Sequence, residues 1–418
     1  MVREDIELMA PAGDFESLMA AIQGGANSVY FGVGKLNMRS GSAKNFAIQD
    51  LPAITRICDK AGVKSYLTLN IVAYDTELDE IRQLVDEAKK TGITAIIASD
   101  PAVFQIVRSN NIPLHISTQA NISNIESVKF YAWFADVMVL ARELNINQMH
   151  HICQTIEKEQ ITGPGGQLVR IEVFVHGALC MAISGKCYLS LHQSNKSANR
   201  GACRQICRKG YEVTDLESGD KLHVDHEYIM SPKDLNTLPF LDRVINTGVK
   251  VLKIEGRGRS PEYVKTVTQS YHEALEAIAR GTFNEEYIKS SEEKLERVFN
   301  RGFWDGYYLG RKLGEWSGKY GSSATKRKVY IGKGMNYFSK IGVAEFLIES
   351  QSLRVGDDII ITGPTTGVVE SKVEELRVDL KKVEQTVKGD HCSIPLTIKI
   401  RRADKLYKIV DAREVATQ

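Results

Sequence analysis

Over the first three-quarters of the chain, short apolar runs rich in β-branched and aromatic residues alternate with longer stretches whose apolar positions recur every three or four residues. The runs predict strands at I-E-L-M-A, S-V-Y-F-G, V-K-S-Y-L-T-L-N, T-A-I-I-A-S, P-L-H-I-S-T, D-V-M-V-L-A, R-I-E-V-F-V-H and V-K-V-L-K-I-E, with E-Y-I-M-S at 227–231 a short further candidate. The 3.6-residue period predicts helices over Phe15 to Gln23, Leu51 to Ala61, Glu77 to Lys90, Ala102 to Ser109, Ile125 to Phe134 and Asn147 to Glu159. Gly24, Gly62 and Gly92 stand where helices should stop, since glycine takes the left-handed C-cap conformation at little cost. Strict alternation implies parallel strands, and eight or nine of them favour a TIM-like (β/α)8 barrel over an open doubly wound sheet.

Near Tyr320 the period changes. After the small and basic stretch G-S-S-A-T-K-R-K come K-V-Y-I-G-K, G-V-A-E-F-L-I-E, D-D-I-I-I-T-G, G-V-V-E-S-K-V and P-L-T-I-K-I-R, separated by turn residues. This alternation predicts a small all-β antiparallel barrel or sandwich. The expected division is a barrel over 1–320 with a cysteine-bearing insertion at 177–226, a linker at 321–328 and a β-domain over 329–418.

Composition adds little to this picture. A content of 43% hydrophobic and 25% charged residues argues against disorder, and a net charge of +2 excludes a strongly polycationic nucleic-acid binder while allowing a local basic face. No run reaches the roughly 18–20 apolar residues of a membrane helix, and the first residues do not resemble a secretion signal. A cytoplasmic protein without membrane contact is expected.

In a (β/α) barrel the functional face is formed by the loops after the strands. Here those loops carry Arg39, Asn70, Gln119, Arg142, Glu143, His176, Glu255 and Arg257. Arg39, Arg142 and Arg257, with Asn70 and Gln119, are candidates to bind a small anionic metabolite, because guanidinium matches carboxylate or phosphate in a bidentate pair. His176, Glu143 and Glu255 are the candidate acid–base residues, although either glutamate could instead neutralise the arginines. The loop G-V-G-K-L-N-M-R-S-G-S lacks the spacings of a phosphate cradle and reads as a mobile loop.

Seven cysteines are present, and Cys180, Cys187, Cys203 and Cys207 follow the seventh strand within one excursion. In a reducing compartment such a group reads as metal ligands or redox chemistry before disulfides. Thiolates suit zinc or an iron–sulfur cluster, and the spacing departs from paired C-x-x-C zinc knuckles. Arg200, Arg204, Arg208 and Lys209 flank the second pair, where cations stabilise thiolates. Cys58, Cys153 and Cys392 lie on apolar faces and are expected in cores.

The run E-V-F-V-H-G-A-L-C-M-A-I-S-G-K-C-Y-L-S resembles the signature of the collagenase-like peptidase family, peptidase U32, with Glu172, Phe174, Gly177, Ala178, Cys180, Gly185, Cys187 and Ser190 at its positions. E-L-M-A-P-A-G, H-I-S-T-Q-A-N, V-L-A-R-E-L, S-P-K-D-L and K-I-E-G-R-G-R-S-P-E-Y resemble the same family. Its name records peptidase activity, whereas similar bacterial proteins use prephenate to make 5-hydroxyuridine in tRNA or 5-hydroxycytidine in ribosomal RNA. Others are iron–sulfur proteins of ubiquinone hydroxylation. A barrel with a β-tail looks most like the tRNA branch. The resemblance therefore implies a 4Fe-4S cluster on Cys180, Cys187 and Cys203, prephenate as co-substrate, and hydroxylation of a wobble uridine in tRNA. Some relatives take the fourth cluster ligand from the segment matching S-P-K-D-L, where this chain has no cysteine, so Cys207 is the substitute. Lys326, Arg327, Lys328, Arg401 and Arg402 are candidate contacts to the tRNA backbone. The alternatives are a U32-type peptidase, metal-dependent or built on a Cys180–His176 dyad, and a zinc-stabilised RNA-binding adaptor.

Overall fold

The computed structural model describes residues 3–212, 214–219, 230–310, 314–318 and 321–413. Six strand–helix units open the chain: β1 (Glu7–Pro11), α1 (Phe15–Gln23), β2 (Ser28–Gly32), α2 (Leu51–Ala61), β3 (Lys64–Leu69), α3 (Leu78–Thr91), β4 (Ala95–Ala98), α4 (Pro101–Ser109), β5 (Leu114–Ile116), α5 (Ile125–Ala132), β6 (Val137–Val139) and α6 (Ile146–Glu159). There follow β7 (Arg170–Ala178), α7 (Leu189–Ser194), β8 (Asp234–Asn236), α8 (Leu241–Ile245), β9 (Val251–Ile254), α9 (Pro261–Arg280), α10 (Glu285–Arg297) and β10 (Phe303–Trp304).

Eight of these strands close on themselves. β1 to β7 pair in parallel in chain order, β7 pairs with β9, and β9 returns to β1, so that Val251 has Glu172 on one side and Glu7 on the other. They are the eight runs read from the apolar pattern. β8 lies outside the ring, antiparallel to the end of β7, and carries β10. Of the further candidate strand at 227–231, residues 227–229 lie outside the described residues, and Met230 and Ser231 belong to no strand.

The helices cover the ring because each has one apolar face. α2 buries Leu51, Ile54 and Cys58, and α3 buries Ile81, Leu84, Val85 and Ala88, each large side chain contributing roughly 1.5–3 kcal/mol by leaving water. Gly62 and Gly92 end these helices at φ of 68° and 79°. α1 departs from expectation. The Gly24 amide still bonds to Ala20, 2.9 Å away, so Gly24 stays right-handed and Gly25 takes the positive φ of 84°. Within the ring, Met9, Tyr30, Tyr66, Ile97, Val137 and Val251 form a small core. Two buried carboxylates share that layer, Glu7 with Lys64 and Glu172 with Lys253, both at 2.7 Å.

The tail holds β11 (Lys326–Phe338), β12 (Val343–Ile348), β13 (Asp358–Gly363), β14 (Gly367–Lys372), β15 (Arg377–Val378), β16 (Lys381–Lys382), β17 (His391–Pro395) and β18 (Lys405–Asp411). They form one antiparallel sheet in the order β14-β13-β18-β11-β12-β17-β15-β16, with no ladder joining β14 to β16 among the described residues. Its own core includes Ile331, Phe346, Ile361, Cys392 and Leu406. β11 already begins at Lys326, so the stretch expected as linker is partly strand. The tail packs along α1 and α9, where Lys328 pairs with Glu262 at 2.8 Å.

Candidate active site at the barrel mouth

The strands end at a cavity of about 370 Å³ that Tyr30, Thr68, Ile97, Phe174 and Lys253 floor and that the cysteine-bearing segment after β7 covers. Strand alternation delivers this floor. On V-L-K-I-E-G-R, every second residue from Lys253 points the same way, so Lys253, Glu255 and Arg257 all reach the cavity. That alternation was readable in the sequence and should have singled out Lys253.

Glu255 gathers the arginines. Arg39 donates to its Oε1 from Nε at 3.1 Å and from Nη2 at 2.7 Å, and Arg142 Nη2 stands 3.9 Å from Oε2. Arg142 also donates to the Ala178 carbonyl at 3.0 Å and lies 3.9 Å over the Phe174 ring. Arg257 donates to Asn37 at 3.0 Å and to Thr68 at 2.9 Å. Burial opposes ionisation of Glu255, but Arg39, Arg142 and Arg257 together outweigh it and hold its carboxyl down at about 2. Such a group is a fixed anion, not an acid–base catalyst at neutral pH. Glu255 therefore positions arginines, as the alternative reading of the glutamates allowed. Arg39 is correspondingly raised by Glu255, and burial lowers Arg257 to about 10.

A second cationic group, only partly visible in the sequence, faces the first. Asp234, in the S-P-K-D-L segment, lies 3.5 Å from Arg259 and 3.4 Å from Arg301. Arg259 stacks 3.7 Å over Phe299, and Arg208 reaches the carbonyls of Leu179 and Pro232. Asn70 accepts from the Met38 amide at 3.2 Å and donates to Ser117 at 3.3 Å, while Gln119 presents an Oε1 that has no hydrogen-bond partner among the described residues. Both line the cavity.

Two candidates fall outside it. His176 is 1% exposed and packs against Tyr263, Tyr271 and Phe303, with Tyr271 OH 3.4 Å from its Nδ1. The β7–β9 register shifts between Phe174 and His176. This irregularity breaks the alternation that would have turned the ring to the mouth. Burial pushes His176 down to about 3, so it is a neutral core residue and makes no dyad with Cys180. Glu143 is exposed in the turn after β6 and does not line the cavity.

All four cysteines do line it. Cys180 is exposed and the other three are half-buried. The Cys207 thiol is pushed up to about 11, first by burial and then by Cys180, Cys203 and Cys187, against the pull of Arg208. The other three sulfurs thus lie within electrostatic reach of Cys207. Among the described residues no three His, Cys, Asp or Glu side chains already stand in metal-ligating geometry. The donor set nevertheless suits a soft metal centre, because four thiols surround one space beside Arg39 and Arg208. Cys180, Cys187, Cys203 and Cys207 would hold such a centre as the segment tightened.

The cysteine segment is pinned to the barrel. Arg200 donates to both oxygens of Glu77, at 2.9 and 2.6 Å, and stacks 3.6 Å over Tyr74. It therefore serves as an anchor and is not beside the thiols, while Arg204 and Lys209 are exposed. The Gly41 amide bonds to the Gly201 carbonyl at 3.0 Å, and a Cβ on Gly201 would fall 2.1 Å from Ser40 Oγ. The glycine-rich loop after β2 is thus fastened, against expectation, by Gly201 and by the Arg39–Glu255 pair. In the tail, Lys328 is committed to Glu262, and Arg327 and Arg401 flank opposite ends of the β11–β18 ladder, about 23 Å apart at 3.3 Å per residue, so they make no single patch.

Residues 13–318 match the model of peptidase family U32. A protein named collagenase from Porphyromonas gingivalis is 57% identical over 410 residues, covering 98% of this chain and 99% of that protein. The tRNA hydroxylation protein P1 of Bacillus subtilis is 30% identical over 366 residues, covering 86% of this chain and 83% of that protein. A 23S rRNA 5-hydroxycytidine synthase of Escherichia coli is 34% identical over 323 residues, covering 74% of this chain and 46% of that protein. No helix among the described residues is long and apolar enough to cross a membrane.

Proposed function

The chain belongs to peptidase family U32, and from that premise we propose that it is a cytoplasmic tRNA-modifying enzyme, which hydroxylates a wobble uridine to 5-hydroxyuridine with prephenate as co-substrate and a 4Fe-4S centre. One observation carries the reading: among the described residues, four thiols and six guanidiniums line a single cavity at the barrel mouth, and no histidine lines it. A surplus of buried cations suits a small carboxylate, and clustered thiols suit an iron–sulfur centre more than a hydrolytic nucleophile. Such a centre supplies electron transfer when bound. The chain's own part is to hold the anion on Arg39, Arg142 and Arg257 and to keep water out with the cysteine segment. Relatives named for tRNA and rRNA hydroxylation support the substrate class.

The name collagenase on the Porphyromonas relative favours a peptidase. That chemistry needs an activated nucleophile or a metal-bound water beside a base. Here His176 is sealed in the core and Glu255 is locked by arginines. Anaerobic purification should give about four irons per chain with matching sulfide; stoichiometric zinc without iron would overturn the cluster. Loss of 5-hydroxyuridine derivatives from the tRNA of a deletion strain is expected, and unchanged nucleosides would overturn the RNA reading. Gelatin cleavage by the purified protein, abolished in Cys180→Ala, would favour the peptidase.

A further inference from the structure

Beneath the arginines the cavity floor presents the amine of Lys253, a residue only 5% exposed. Its Nζ lies 2.7 Å from Glu172 Oε1, 4.4 Å from the centre of the Tyr30 ring and 5.6 Å from that of Phe174. The same two rings border the anion-binding side, since Arg142 lies 3.9 Å over Phe174 and Arg257 5.9 Å from the centre of Tyr30. The amine therefore lies within one small molecule's length of guanidiniums that would hold a carboxylate. Glu172 is wholly buried, and its Oε2 has no hydrogen-bond partner among the described residues. Burial raises its carboxyl while Lys253 opposes the rise. A carboxylate with one oxygen on an ammonium and the other free, away from solvent, is a proton acceptor already in place. Glu172 is also the first residue of the E-V-F-V-H-G-A-L-C run, so this pairing gives that glutamate a task.

We infer that Lys253 is a nucleophile whose amine condenses with the carbonyl of a 2-oxo acid to form an imine, while Glu172 carries the protons. A carbonyl one bond from a carboxylate is the group that fits an amine set close to guanidiniums. Glu172 takes a proton from the Lys253 ammonium, and the free amine adds to the carbonyl carbon. A proton passes from the added nitrogen to the alkoxide oxygen to give the neutral carbinolamine, whose carbon–oxygen bond then breaks as Glu172 returns its proton to the departing hydroxyl. Ammonium and ketone become iminium and water, Glu172 ends as a carboxylate, and nothing is oxidised or reduced. The inference rests on the proposed reading only in taking the small anion to be a carboxylate.

Borohydride trapping tests it on the full-length, anaerobically purified protein. With pyruvate or phenylpyruvate, the peptide containing Lys253 should gain the mass of the 2-oxo acid less one oxygen atom. Lactate, a carboxylate of similar size without the carbonyl, should leave no adduct. Lys253→Arg keeps a cation opposite Glu172 and should remove the adduct while its circular dichroism stays that of the folded protein. Glu172→Gln should slow trapping by about 100-fold. No adduct at Lys253 with either 2-oxo acid at saturation, or equal labelling of wild type and Lys253→Arg, overturns the inference. Trapping needs no RNA and no metal, so its failure is distinct from that of the RNA reading, which shows as unchanged tRNA nucleosides.

Discussion

Single residues at this barrel mouth are polarised by burial, and Glu255 is the clearest case. With its carboxyl held at about 2 against an ordinary value of 4.5, the folded protein binds the proton less tightly than the unfolded chain does. Its contribution, about 3 kcal/mol, is therefore fully present above pH ~4.5 and disappears as pH falls through ~2. Glu7 is held at about 2 as well, by Lys64 and Tyr66 against its own burial, and adds to the same acid limb. Glu255→Gln should lower stability at pH 7 by about 3–5 kcal/mol, because buried guanidiniums lose their counter-charge. It should also flatten the fall in melting temperature between pH 5 and pH 3, leaving the part due to Glu7. A variant melting like wild type at every pH would show that the arginines do not depend on this carboxylate. His176 makes the opposite contrast. Its replacement by alanine should cost about 2–4 kcal/mol as a core cavity and leave iron content unchanged. Loss of function without loss of stability would return it to the active site.

At the scale of elements, the eight barrel strands were legible because each is a nearly continuous buried run, as a parallel strand covered on both faces must be. β8 and β10 were not, since β8 is Asp-Leu-Asn with a single apolar residue and β10 has only two residues, so neither makes an apolar run. The position of His176 escaped for a different reason, because a register shift inside β7 changes which face a side chain takes and leaves no mark on composition. The cysteines were recognised as a group from their crowding. Their fastening was not, because Arg200 and Glu77 are far apart in sequence and meet only through the fold. Arg200→Ala should therefore release the cysteine segment locally. Removing a bidentate, stacked guanidinium that costs ~1–2 kcal/mol of local hold raises the open population ~5–30-fold. Hydrogen exchange over residues 197–203 should quicken accordingly, with the exchange of β1–β6 unchanged. Equal exchange in both proteins would mean that the Gly41–Gly201 contact holds the segment alone.

For the whole molecule, one glutamine joins the tail to the barrel by two hydrogen bonds, beside the Lys328–Glu262 and Lys265–Glu370 pairs. Gln23, the last residue of α1, donates from Nε2 to the Thr366 carbonyl at 2.9 Å and accepts from the Val368 amide at 2.9 Å. Gly367, between those two partners, has φ of 70°, and a Cβ there would stand 2.5 Å from the glutamine oxygen. The side chain thus reads the backbone of a left-handed turn at two points. Gln23→Ala removes both bonds and should cost about 1–3 kcal/mol of docking. Gly367→Ala adds backbone strain of roughly 1–2 kcal/mol and drives the amide aside. Since each change removes the same contact, the double variant should lose less than the sum of the singles. The Val368 amide should exchange faster in all three, while amides of the separate tail core, such as Ile331 and Phe346, stay protected. The tail would then be loosened without being unfolded. On the proposed reading a tRNA must engage the barrel mouth and the exposed Arg401 and Arg402 of the tail together, so Gln23→Ala should weaken tRNA binding and leave borohydride trapping at Lys253 as it was. Equal weakening of both would place the tail in the service of the cavity itself, and additive losses in the double variant would show that Gln23 and Gly367 do not share one contact.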